Sequence, residues 1–168
     1  MPKAIIALAA TLLLAWSVQA SAAAPVDSGP AHDDVELRSL IAYSTAEIRS
    51  REDLADHLRR AGDKSPLAAL PRAARIRFID SLAFNGNGLT QYRYDVLLDN
   101  LTASQAYRIL KLFGAEGTGA FLRRARIETE TDAAIASIRW FDDHLKAKCV
   151  SPHNCQLGWV DFICMSGC

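Results

Sequence analysis

The chain has 168 residues, half of them apolar, with 19 Lys and Arg set against 19 Asp and Glu. That length suits a single domain, since domains run to roughly 100–200 residues. Balanced charge gives no long-range field to draw in nucleic acid or an anionic surface, so no nucleic acid is expected as a partner.

Met1-Pro2-Lys3 is a short cationic start, and Ala4 to Trp16 follows with Thr11 as its only polar residue. Val18-Gln19-Ala20 then fits the small-x-small rule for a signal peptidase. This three-part layout predicts a secretory signal over residues 1–20, cut after Ala20 or Ala22, and a periplasmic or secreted product. The apolar run is shorter than the roughly 20 residues needed to cross hydrocarbon, so no transmembrane segment is expected after cleavage. No Cys lies near the cleavage region to carry a lipid. Residues 21–33 are small and contain Pro and Gly without periodicity, which predicts a disordered lead-in.

Residues 34–148 are expected to form one helical domain, and short links between its elements suggest a compact all-α bundle of five to seven helices. Leu37, Leu40, Ile41 and Ile48 recur near helical spacing over 34–48. Ser50 with Asp53 resembles a capping box that opens a second helix, with Leu54, Leu58 and Ala61 on its inner face and Gly62 at its end. Ser65-Pro66 starts a short helix. In 72–84, Ile76, Ile79, Leu82 and Ala83 mark one helical face, although Arg75-Ile76-Arg77-Phe78 also alternates like a strand. Asn85-Gly86-Asn87-Gly88 is a turn on its chemistry alone.

Tyr94, Leu97, Leu98 and Leu101 lie at the spacing of one apolar stripe, which places a helix over 92–101. Thr102 and Gln105 then form a capping box for a helix over 103–113, ended by Gly114. A last long helix is expected from about 130 to 147, with acidic residues at its start and Lys146 and Lys148 at its end. The tight link between the 92–101 and 103–113 helices resembles a DNA-binding helix pair, but export and near-neutral charge argue against DNA.

All four cysteines fall in the last 20 residues: Cys149, Cys155, Cys164 and Cys168. An even number in an exported chain points to two disulfides closing an irregular cap over 149–168. Adjacent, nested and crossed pairings are all open on spacing. The nested one (Cys149 with Cys168, Cys155 with Cys164) would fold the tail back as a hairpin and the adjacent one would make two small loops; spacing does not choose between them, and the nested one is the expectation carried forward. Zinc is disfavoured: the C-x5-C and C-x3-C spacings with an intervening x8 match structural sites poorly, and an oxidising compartment removes the thiolates. No metal and no cofactor are expected.

Within the cap, Trp159 and Phe162 are candidate anchors for a protein partner, since rigid aromatics dominate interfaces. The competing reading makes Trp159, Val160 and Ile163 a lid on the helical core. His57 lies four residues after Asp53, so the two can meet on a helix face and orient a base, yet no local nucleophile signature accompanies them. His144 follows Asp142-Asp143, but consecutive helical residues diverge by about 100° and would not converge on one ion. Two groups of arginines, Arg72, Arg75 and Arg77 with Arg123, Arg124 and Arg126, are read as solvated. The leading expectation is a non-catalytic binding or interaction protein of the cell envelope or extracellular space. The rival is an extracytoplasmic hydrolase using His57 or His144 with nearby carboxylates. A cleft gathering one of these histidines with a nucleophile would favour that rival.

Overall fold

The computed structural model describes residues 30–138 and 144–168. The expected signal with its cleavage positions, most of the lead-in, and Asp142-Asp143 lie outside the described residues. The fold is α+β and not all-α, with 55% helix, 20% strand and two antiparallel sheets.

Helix α1 (Pro30–Thr45) starts earlier than the apolar spacing implied. Its expected inner face is exposed at Leu37, Leu40 and Ile41, and only Ile48, beyond the helix, is buried. Helix α2 (Arg51–Ala61) is capped by Ser50, whose hydroxyl accepts the Asp53 N–H, and Gly62 closes it at φ 48°. The Arg49 N–H donates to the Asp53 carboxylate at 3.0 Å. A 3-10 turn at Pro66–Ala69 leads to α3 (Arg72–Ser81). Helix α3 turns Ala74 and Phe78 inward, with Ile79 packed against the core and Leu82 buried just past its end, and leaves Ile76 exposed, so the expected face is met only in part.

The Asn-Gly turn joins two strands, β1 (Ala83–Asn85) and β2 (Gly88–Arg93). Helix α4 is shorter than expected (Asp95–Asn100), because Tyr92 and Arg93 belong to β2. Helix α5 (Ala103–Leu112) has the full Thr102–Gln105 capping box. After a 3-10 segment at Glu116–Arg124, α6 spans Glu130–Ser137. The expected continuation to 147 is replaced by strands: β3 (His144–Leu145) and β4 (Ala147–Ser151), with Lys146 between them at φ 61°. Helix α6 has already ended at Ile138, whose backbone is extended (φ −64°, ψ 142°), and the positive φ of Lys146 excludes a right-handed helix there as well.

The tail is strand-built and not irregular. Strand β5 (Asn154–Leu157) pairs with β4, and β6 (Phe162–Cys164) lies inside the four-stranded order β1-β2-β6-β3. Gln91 pairs with Cys164 and Tyr92 with Ile163, while Leu145 flanks Ile163 from the other side. The helices pack on this sheet around Phe78, Tyr92, Phe113 and Phe121. Phe78 meets Tyr92 and Phe113 edge-on at 6.2 Å in each case, the geometry preferred by aromatic quadrupoles.

One close approach fixes α1 on this core. Gly114 sits at φ 65°, and a Cβ there would lie 2.5 Å from the Ala42 carbonyl oxygen. Gly114→Ala therefore combines left-handed strain of about 1–2 kcal/mol with a backbone clash. The expected result is a lowered urea midpoint and faster amide exchange at Ala42 and Tyr43.

Asp132 is a second fixed point. It is buried and accepts the N–H groups of Ser104 at 2.8 Å and Thr129 at 2.9 Å. Burial alone would raise its pKa. The Ser104 N–H and the hydroxyls of Thr102, Ser104 and Thr129 favour the anion more strongly, and hold the carboxyl well below the usual range. Since the folded pKa is depressed, this stabilisation is complete above about pH 4 and fades as pH falls further. Asp132→Asn should lower the urea midpoint at neutral pH and flatten its decline in acid.

Candidate functional site

The tail is built as a platform. Cys149 bonds to Cys168 and Cys155 to Cys164, the nested pairing. Cys149 and Cys155 face each other across β4 and β5. One bridge therefore leads from each strand of the hairpin to β6 or the chain end. Gln91, buried in β2, accepts the Cys149 N–H at 3.0 Å, and Asn85 donates to the Gly167 carbonyl at 2.7 Å. Among the described residues no cysteine is free. The sulfurs of Cys149, Cys164 and Cys168 lie within 4.8 Å of one another, but as disulfides they offer no thiolate to a metal. Two disulfides are consistent with a location outside the cytoplasm. No helix among the described residues is long and apolar enough to cross a membrane.

The loop between β5 and β6 is held at both ends. The Gly158 and Trp159 N–H groups donate to the Lys146 carbonyl at 3.0 and 3.1 Å. The Tyr94 hydroxyl donates to the Val160 carbonyl at 2.7 Å, and Arg93 pairs with Asp161 at 3.2 Å. On this scaffold Leu157 is 74% exposed, Val160 61% and Trp159 42%. The lid reading is thereby corrected. Ile163 alone of the three enters the core, because the alternation of β6 points it inward, while Trp159 and Val160 face solvent. Phe162 is half-buried, edge-on to Trp159 at 6.2 Å. The Lys148 ammonium stands over the Trp159 ring at 4.7 Å and the Phe162 ring at 5.4 Å.

A second constellation surrounds His57. Its Nδ1 lies 2.8 Å from Glu47 Oε1 and its Nε2 lies 2.7 Å from Ser65 Oγ. Gly62 turns the chain at the end of α2, and the Ser65 N–H returns to the Gly62 carbonyl at 3.2 Å, which brings Ser65 back against the helix. Ser65 Oγ also accepts the Leu67 N–H at 3.2 Å. With that lone pair used, the hydroxyl proton can go to Nε2 and the Nδ1–H to Glu47, which satisfies every group. His57 is 3% and Ser65 5% exposed. Ser65 also lines a depression of about 440 Å³ with Asp63, Lys64, Ala68, Gln105 and Arg108.

The partner expected for His57, Asp53, is instead spent on capping α2. Glu47 and Ser65 were missed because they lie ten and eight residues away, off the helix, where i+4 spacing does not reach. The Ser65-Pro66 start signal was the one local trace of the site. His144 is exposed on β3, apart from buried His57. Of the two arginine groups, Arg126 pairs with Glu128 at 2.8 Å on the surface. Comparison with protein-family models, curated proteins and solved structures finds no match to the chain.

Proposed function

We propose that the protein works outside the cytoplasm as a binding protein that captures a protein partner through its stapled tail. The observation that carries this reading is the exposed run Leu157, Trp159 and Val160 on a loop anchored by two disulfides. Large apolar side chains held rigidly lose little entropy on binding, and such side chains supply interface hot spots. Lys148 adds charge beside the ring. The chemistry favours a partner with an apolar pocket rimmed by carboxylates.

The test is affinity capture with the oxidised protein from the compartment where it accumulates, followed by titration of the partner recovered. Trp159→Ala with Val160→Ala should weaken binding by about 30-fold or more, the effect of losing one hot spot, while the thermal unfolding curve stays in place. Reduction should abolish capture. Equal affinity of the double variant for the same partner would overturn the reading.

A further inference from the structure

We propose that Ser65 is an activated nucleophile, with His57 as its base and Glu47 as the residue that positions the imidazole, acting on small carboxylic esters. Three observations converge. The hydrogen-bond order runs from carboxylate to Nδ1 and from Nε2 to hydroxyl, at 2.8 and 2.7 Å, the order required to pass a hydroxyl proton to an oriented base. Ser65 borders a depression open to solvent, so a substrate has somewhere to sit. A cap on the Pro66–Ala69 turn needs only the Ser65 hydroxyl and the Leu67 N–H, and leaves the buried histidine and its carboxylate unexplained.

In the reaction, Ser65 Oγ bonds to the ester carbon, the carbonyl electron pair moves onto oxygen, and the hydroxyl proton goes to His57 Nε2. Collapse breaks the bond to the alkoxy group, which leaves with that proton. Water then repeats both steps, returning a carboxylic acid and free Ser65. The backbone N–H groups of Ser65, Leu67 and Ala68 are already engaged, and Pro66 has none. Charge on the carbonyl oxygen must therefore be met by side chains of the depression, with Arg108 and Gln105 as the donors available. Lys64 and Arg108 outnumber Asp63 on this lining and favour an ester carrying an anionic group.

The experiment is treatment of the full oxidised chain with a fluorophosphonate, in which a serine oxygen displaces fluoride at phosphorus. Intact mass and peptide mapping should place one adduct on Ser65, lost after prior unfolding. Glu47 is half-exposed, and its loss empties no core space but leaves the buried His57 Nδ1–H without its acceptor, so Glu47→Ala should slow labelling by at least about tenfold at a temperature where circular dichroism shows the variant still folded. A folded wild-type chain with no adduct at Ser65, or labelling at an equal rate in Glu47→Ala, would overturn the proposal. Neither outcome bears on the tail, which lies on different elements.

Discussion

Replacing Cys149 and Cys168 together with serine should lower the stability of the oxidised protein by about 3 kcal/mol, the chain-entropy value for a loop of this size. The bridge spans a sequence separation of 19 and joins β4 to the last residue of the chain. Without it the unfolded chain regains the freedom of that loop. The native state changes less, because Cys168 is buried with Ala147 and Cys164 but the Ser151 carbonyl, 3.3 Å from its sulfur, offers a serine hydroxyl an acceptor. The remaining Cys155–Cys164 bridge still closes the inner loop, so β6 should keep its place while residues 165–168 loosen. Urea unfolding reads the loss, and hydrogen exchange reads where it falls. A loss below about 1 kcal/mol would mean that contacts already constrain the tail in the unfolded chain.

Phe78→Ala should cost about 3–5 kcal/mol, the range for removing a fully buried aromatic ring. Phe78 has no exposed surface and stands between the rings of Tyr92 and Phe113, so the cavity opens where α3 meets the sheet. Trp159→Ala provides the contrast. Its ring is larger but 42% exposed, covered on one side by Lys148 and Phe162, and its removal leaves no closed cavity, so it should cost no more than about 1 kcal/mol. Were the two substitutions to cost similar amounts in parallel denaturation curves, Trp159 would be a core residue and the tail a lid after all.

The helical elements were legible where their ends carry chemistry. Thr102 with Gln105 announced α5 because a reciprocal cap can be read without tertiary knowledge, and Ser50 and Gly62 bounded α2 for the same reason. The strands were not legible. Every residue of β2 from Gly88 to Tyr92 is buried, so the period-two pattern of a half-exposed strand never forms. Thr90 and Gln91 interrupt any apolar run, yet they lie inside because hydrogen bonds to the Ala83 and Ser81 carbonyls satisfy them. One partner of β2 is β1, across the Asn-Gly turn, but the other is β6, some seventy residues later and beyond the reach of local pattern. Without β2 in view, Tyr94, Leu97, Leu98 and Leu101 suggested a longer helix than α4, although Leu97 and Leu101 do face the core.

The candidate sites divide in the same way. Cysteine number and compartment pointed to two bridges, but the nesting is fixed by β6 crossing between β2 and β3, a long-range pairing. His57 drew notice through its helix, and its working partners arrive from outside that helix.

The tail is a platform locked by nested bridges that holds Trp159 at the surface. Partial reduction and alkylation of the oxidised protein, with tandem mass spectrometry of the fragments, tests this arrangement most directly. The expected result is Cys149 joined to Cys168 and Cys155 joined to Cys164. Cys149 joined to Cys155, its neighbour across the hairpin, would leave β6 untethered from the hairpin and contradict it.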